Sequence, residues 1–361
     1  MENLVSVKSL QSFYNNKKVF ITGHTGFKGA WLMALLHQLG ATVKGYALSP
    51  EYNNGLFSRL QPLGIAESII ADIRDRKKLE EEIIAFQPDY IFHLAAQPLV
   101  RRSYRIPAET FDVNVTGTAN VMEALIPLQK SCAAVIITTD KVYENIEKNV
   151  LYTENDKLGG YDPYSASKAC AELVISSFRN SFFNINTINE HRKALAAARA
   201  GNVIGGGDWS TDRILPDVVR ALAKGETIQV RNPHAVRPWQ HVLEPLTGYL
   251  LLGALLHENA IIYSGAYNFG PMPEDHLDVG NFVNCAIAAW GSGQWHDASD
   301  PAAVHEAGFL KLDIKKALTT LGWQPKLNAQ EAIKWAVAWY KQPGNAQADF
   351  TFEQIKNYLT I

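Results

Sequence analysis

Apolar runs and amphipathic stretches alternate along this chain from Val19 to Gly270. Val19-Phe20-Ile21-Thr22 is a short continuous apolar run, followed by a glycine turn and a helical pattern reaching about Leu39. Residues 42–48, 68–73, 90–96, 133–139 and 267–270 read as further strands, and the run from Ala196 toward a glycine-rich loop as another. Helical spacing covers 74–86, 110–128 and 243–256. Strands that are apolar throughout need cover on both faces, and strand–helix alternation requires parallel strands joined by right-handed crossovers. The pattern predicts an α/β fold with a doubly wound parallel sheet. Ligands of such sheets sit beyond the carboxyl ends of the strands, which gathers Asp72, Ala95, Ala96, Thr139 and Asp140 around one crevice.

The alternation breaks after Gly205-Gly206-Gly207. A short helix over 216–224, a short strand over 227–231 and the turn Arg237-Pro238-Trp239-Gln240-His241-Val242 follow. Beyond Gly270 come loops and helices carrying Trp290, Trp295, Trp323, Trp335 and Trp339, which read as core rather than as a ligand platform. Two interleaved domains are expected, a larger one from 1–198 with 241–270 and a smaller one from 199–240 with 271–361.

Composition narrows the partners. With 361 residues, 47% hydrophobic and 19% charged, the chain has ample core for a globular protein. A net charge of −2 gives no reason to expect nucleic acid or a membrane surface as principal partner. Cys132, Cys170 and Cys285 are isolated, which argues against a disulfide scaffold or a metal site and suits a reducing cytosol. The start, Met1 to Lys8, lacks the basic and apolar runs of a signal peptide, and the apolar stretch near 249–256 is too short to span a bilayer. A cytoplasmic protein is expected.

Gly23, Gly26 and Gly29 sit at three-residue intervals between the first strand and the first helix. Glycines there let the backbone turn tightly and approach a diphosphate, while the helix aims free N–H groups at it. A Rossmann-type dinucleotide site is the reading. Two features depart from it. The second strand ends Leu48-Ser49-Pro50-Glu51, without the acid that holds the adenosine ribose, so either Glu51 curls back or the ribose is held less firmly. His24 and Lys28 stand inside the glycine loop, and a looser hold on the cofactor is expected from them.

Tyr164 and Lys168 lie four apart on a helix opened by Pro163, just after the strand that delivers Thr139 and Asp140. Tyr14 and Lys18 have the same spacing in a polar segment with no site around them, so position carries the assignment. There the lysine can lower the tyrosine pKa, and the phenolate can take a hydroxyl proton while hydride leaves to a nicotinamide.

Jointly, Gly23-x-x-Gly26-x-x-Gly29, Leu94-Ala95-Ala96-Gln97, Thr139-Asp140, Tyr164-x-x-x-Lys168 and Asn202 resemble the extended short-chain dehydrogenase/reductases that act on nucleotide sugars. Gly23-His24-Thr25-Gly26-Phe27-Lys28-Gly29, Pro98-Leu99-Val100-Arg101, residues 138–143, 199–209 and 237–241 resemble more closely the CDP-glucose 4,6-dehydratases. The resemblance runs from Lys18 to about Tyr340. It implies a Rossmann domain holding NAD through residues 23–29, Asp72, Ile73, Leu94, Ala95, Ala96, Tyr164 and Lys168, beside a smaller nucleotide-sugar domain. It implies CDP-glucose as substrate and CDP-4-keto-6-deoxyglucose as product, a deoxysugar precursor for surface polysaccharide. It also implies a homodimer or tetramer paired through helices near 110–128 and 164–181.

By the same resemblance Tyr164 deprotonates the 4-hydroxyl, Thr139 bonds near the 4-oxygen and Asp140 protonates the departing C6 hydroxyl. Related dTDP-glucose dehydratases carry a glutamate where this chain has Lys141, which leaves Lys141 as C5 base or as stabiliser of the enolate. Arg199, Asn202 and Arg237 are expected around the sugar-nucleotide diphosphate, Arg101 and Tyr104 beside the hexose, Trp209 and Trp239 next to the binding loops, and Trp209 and His241 among the substrate-binding residues. Two rival readings remain at this point. A nucleotide-sugar 4-epimerase shares the tyrosine, lysine and glycine loop but has no use for an acid at C6, and a cofactor-binding regulator has no use for the full set.

Overall fold

The computed structural model describes residues 9–146, 148, 150–275, 277–299 and 310–361. The leader reading of residues 1–8 lies outside them. Seven strands form one parallel sheet: β1 (Lys18–Thr22), β2 (Thr42–Ala47), β3 (Glu67–Ile70), β4 (Tyr90–His93), β5 (Cys132–Ile137), β6 (Lys193–Ala200) and β7 (Gly265–Phe269). Their order is β7-β6-β5-β4-β1-β2-β3, the doubly wound arrangement that the alternation predicts. In register, Val19 of β1 stands opposite Val43 of β2 on one side and Tyr90 of β4 on the other.

The period-2 geometry of the strands splits the core in two. Val19 and Ile21 of β1, with Ala133, Val135 and Ile137 of β5, pack on one face among Trp31, Leu35 and Leu250. Phe20, Cys132, Ala134 and Ile136 pack on the other among Ile83, Val121 and Ile175. Every residue of β5 and β6 is buried, and the alanines of β6 leave room for close helix packing. The helix Leu243–Glu258 is buried on all sides through Leu256 and lies over β5 and β6. An element apolar all round belongs in a core, and this one does.

Several elements differ from the sequence expectation for identifiable reasons. The third strand stops at Ile70, and Asp72 falls in a turn where its carbonyl accepts from Asp75 N–H. Asp75 then caps the helix Arg76–Phe86 through Lys78 N–H. The expected helix over 110–128 is three pieces, Pro107–Phe111, a π-helical segment Asp112–Thr116, and Gly117–Glu123. The π segment carries buried Asn114, whose amide bonds Gln97 and Ser167 at the edge of the crevice. A short helix, Leu10–Tyr14, precedes the sheet and was not foreseen; buried Tyr14 donates to the Leu250 carbonyl at 2.7 Å.

The C-terminal helices are Val279–Trp290, Ala329–Tyr340 and Gln347–Thr360. Trp323 and Trp339 are wholly buried, and Trp339 donates to Thr351 at 2.8 Å. Among the described residues no helix is long and apolar enough to cross a membrane, and no group of three His, Cys, Asp or Glu is placed to hold a metal.

Candidate active site

The glycine loop follows β1 at the point where the sheet order reverses. Gly23 has φ of +80°, and a Cβ there would lie 2.7 Å from Ala95 N, while one on Gly29 would lie 2.1 Å from the Gly23 carbonyl. Only glycine fits either position. Gly26 caps the helix Phe27–Gln38 with no side chain, and its own Cβ would meet only Gly23 O at 3.4 Å. That exposed, side-chain-free helix start facing a cleft suits a dinucleotide diphosphate. The Thr22 hydroxyl accepts from both Leu94 and Ala95 N–H at 3.2 Å, so the loops after β1 and β4 are clasped together.

A buried polar chain runs from this switch point to the Tyr164 helix. Thr22 bonds His93 Nδ1 at 2.6 Å, His93 Nε2 meets Thr118 at 3.0 Å, and Thr118 donates to the Asn114 carbonyl. Because Thr118 spends its proton on Asn114, His93 donates through Nε2 and accepts at Nδ1. Burial lowers its pKa to about 3, in keeping with a neutral ring. Asn114 then donates to Ser167, which donates to the Tyr164 carbonyl at 2.7 Å.

The acid–base groups converge where β5 ends. Thr139 donates to Asp140 Oδ1 at 2.9 Å, and Lys141 Nζ donates to the same oxygen at 3.2 Å. Lys168 Nζ donates to the Ile137 carbonyl at 3.0 Å, and burial pushes its pKa down to about 8. Burial pushes the Tyr164 phenol up to about 12, opposed by the Thr139 hydroxyl and by Arg213. Ser103 accepts from Tyr164 N–H at 3.2 Å. All five residues, Thr139, Asp140, Lys141, Tyr164 and Lys168, line one cleft.

The two odd residues of the glycine loop part company. His24 turns inward: its ring sits against β2 where a Cβ on Gly45 would be 2.2 Å away, and Nε2 bonds Ser68 at 2.6 Å. Burial lowers its pKa to about 4, so it is a neutral core residue and the expected cofactor contact through its side chain is not made. Lys28 turns toward the acid–base groups and lies 3.5 Å from the buried Tyr249 hydroxyl. Burial, with Arg213 next, lowers its pKa to about 7; Asp140 opposes, and Lys168 and Lys141 add to the lowering. Lys28, Lys141, Lys168 and Arg213 thus gather four basic side chains near Asp140 at this end of the cleft.

The cleft holds about 1740 Å³, beyond the roughly 300–1,000 Å³ of a one-ligand pocket. Thr25, Phe27, Asp72, Ile73, Leu94, Ala95 and Ala96 line it, as do Arg101, Asn202, Trp209 and Arg237. Asp72 is held by Arg74 at 2.7 Å, whose hydrogen bonds keep its carboxyl below the usual range. Glu51, the acid nearest the end of β2, lines the cleft 3.8 Å from Arg102.

Three expected substrate residues are elsewhere. Arg199 is buried, its guanidinium committed to both Glu172 oxygens at 2.9 Å and to Tyr143 at 2.9 Å, so it faces the interior and not a diphosphate. His241 is buried between Trp31 and Trp335, where desolvation lowers its pKa to about 3. Tyr104 is 41% exposed but off the cleft wall. Arg213, paired with buried Asp208 at 3.5 Å, is a cleft cation that sequence reasoning missed; it lies six positions beyond Gly207 of the glycine-rich loop, which was its only signal.

The family described as GDP-mannose 4,6 dehydratase matches residues 20–335. The chain is 46% identical to the CDP-glucose 4,6-dehydratase of Salmonella typhimurium over 92% of each chain. It is 29% identical to the UDP-glucose 4-epimerase of Mycoplasma genitalium over 88% of this chain and 94% of that one. Among solved structures, DesIV, a dTDP-glucose 4,6-dehydratase from Streptomyces venezuelae determined with NAD bound, superposes with a TM-score of 0.77 at 22% identity, over 92% of this chain and 99% of that one. With the glycine loop, the Tyr164–Lys168 pair and the Thr139–Asp140–Lys141 run all on one cleft, the chain belongs to the GDP-mannose 4,6 dehydratase family.

Proposed function

We propose that this chain is an NAD-dependent CDP-glucose 4,6-dehydratase that makes CDP-4-keto-6-deoxyglucose. The observation that carries the reading is Asp140: a buried carboxyl beside Thr139, in contact with Lys141, facing the Tyr164 phenol. Oxidation and re-reduction at C4 alone would need only tyrosine and lysine. An acid at this place has a use when a hydroxyl must leave C6. The 46% identity to a CDP-glucose 4,6-dehydratase supports the same choice over a 4-epimerase.

Gly23, Gly26 and Gly29 hold the diphosphate of NAD at the helix start, with Asp72, Ile73, Leu94, Ala95 and Ala96 along its adenosine and nicotinamide halves. Bound there, NAD would supply a hydride acceptor for C4 and a hydride donor for C6. Tyr164 accepts the 4-hydroxyl proton, with Lys168 and Arg213 favouring the phenolate and Thr139 placing the 4-oxygen. Once C4 is a ketone the C5 hydrogen is acidic. Lys141 takes that proton as the C6–O bond breaks, and Asp140 gives a proton to the leaving oxygen, which departs as water. The 3.2 Å contact between Lys141 and Asp140 lets a proton pass between them and reset the pair. Arg101, Asn202, Trp209 and Arg237 bind the sugar nucleotide.

The two-domain division at 1–198 with 241–270 and 199–240 with 271–361 goes with this reading, each part facing one nucleotide. Leu173, 61% exposed on the helix Pro163–Ser181, and Ile126, 45% exposed, supply apolar surface for a homodimer through the helices near 110–128 and 164–181. A cytoplasmic enzyme supplying deoxysugars for surface polysaccharide such as O-antigen completes the proposal. Incubation with CDP-, dTDP-, UDP- and GDP-glucose plus NAD tests it. A 4-keto-6-deoxy product from the CDP-sugar, without net NADH, is expected, and no such product from any of the four would reject it.

A further inference from the structure

Tyr164, Lys168 and Glu172 recur every four residues on the helix Pro163–Ser181 and share one face. The reaction as derived uses the first two. Glu172 is buried and held on both oxygens: Oε1 accepts from Thr138 Oγ1 at 2.6 Å and from Arg199 Nε at 2.9 Å, and Oε2 from Arg199 Nη2 at 2.9 Å. Thr138 immediately precedes the Thr139–Asp140–Lys141 run, and its N–H donates to Ala198 on β6. Arg199, also on β6, donates to Tyr143 Oη at 2.9 Å and to the Glu154 carbonyl at 3.0 Å. One carboxylate therefore joins the helix that carries the base to the strand end that carries the acid.

We propose that Glu172 is a positioning residue of the dehydratase, fixing the Tyr164–Lys168 face against the Thr139–Asp140 segment and serving as the buried counter-charge of Lys168. This rests on the dehydratase reading. The surroundings of Lys168 leave the role to Glu172. The Ile137 carbonyl of β5 accepts from its Nζ; Lys28, a cation, faces it from the glycine-loop helix, and neutral His93 from β4. Tyr164 stands one turn away, and Asp140 is already bonded to Lys141 and Thr139. Glu172 is the acid that opposes the lowering of Lys168 by burial. Around Glu172 itself stand Arg199 from β6, Thr138 just past the end of β5, and Arg179 and Lys168 on its own helix. The bond from Thr138 fills a further acceptor site of the Arg199-paired carboxylate and ties it to the segment that carries Asp140.

The test is the pH profile of kcat for CDP-glucose dehydration by the full chain with saturating NAD. Lys168 works as a cation, and its pKa near 8 puts the alkaline limb there. Removing the Glu172 charge removes an influence that raises that pKa, so Glu172→Gln moves the alkaline limb to lower pH, by about one unit. Glu172→Gln with Arg199→Met removes both buried charges at once, avoids an orphaned arginine, and shows the same shift. Glu172→Asp keeps the charge but falls short of Thr138. Its limb stays at the wild-type pH while kcat drops about tenfold. An unmoved limb in the first two variants, with only a lower melting temperature, overturns the proposal. A wild-type protein that dehydrates none of the nucleotide sugars instead fails the underlying reading, before any variant is compared.

Discussion

Lys141 places its ammonium 3.2 Å from the Asp140 carboxylate, so the two groups that the elimination must leave in opposite protonation states are in contact. Asp140 is buried, and Thr139 fixes its Oδ1. Replacing Asp140 with Asn keeps the shape and removes the transferable proton. Product formation should fall about 10²–10⁴-fold, the usual worth of a general acid. Because the first oxidation does not need this acid, the reduced-nicotinamide absorbance should build up and persist, which stopped-flow spectroscopy would follow. A normal return of that signal would contradict the assignment.

Lys141→Met separates the two roles that the sequence leaves to Lys141. If the amine takes the C5 proton, exchange of solvent deuterium into C5 falls at least about a hundredfold in the variant. Undiminished wash-in, read by NMR of the recovered sugar, removes Lys141 as the base.

Lys28 brings a fourth basic side chain to a region that already holds Lys141, Lys168 and Arg213. Taking its charge away with Lys28→Met should tighten NAD binding several-fold. With a pKa near 7, Lys28 is charged below neutral pH and neutral above it. Wild-type affinity should therefore rise between about pH 6 and 8, and the variant's should not; titration calorimetry at the two pH values reads both. Retention of stoichiometric NAD by the wild-type protein through long dialysis would count against a loose hold.

Arg199 belongs to the interior, so Arg199→Met should leave KM for the nucleotide sugar unchanged while costing about 3–5 kcal/mol of stability, because it strands the Glu172 carboxylate. Thermal unfolding with KM measured below the transition would check this. A raised KM with unchanged stability would return Arg199 to the diphosphate.

What was legible in the sequence was what local pattern determines. Apolar runs gave the seven strands, the glycine spacing gave the cofactor loop, and chain order placed Tyr164 and Lys168 after Thr139 and Asp140. Side-chain direction was not legible. Arg199, with its neighbours alternating along β6, points to the face where Glu172 waits 27 positions earlier in the chain, a long-range pairing that composition does not announce. His24 and Lys28, four apart in one loop, turn opposite ways because Gly45 leaves a pocket for an imidazole under β2. The π segment Asp112–Thr116 is fixed by the buried Asn114 bonds and not by helix propensity.

The most direct test of the account follows one hydrogen atom. CDP-glucose deuterated at C4 is incubated with the protein and NAD, and the product is examined by NMR and mass spectrometry. Dehydration through an internal transfer predicts the label at C6 of a 4-keto-6-deoxy sugar, with no net reduction of the cofactor. Label retained at C4 of an epimerised CDP-hexose, or lost into free reduced cofactor, would contradict it.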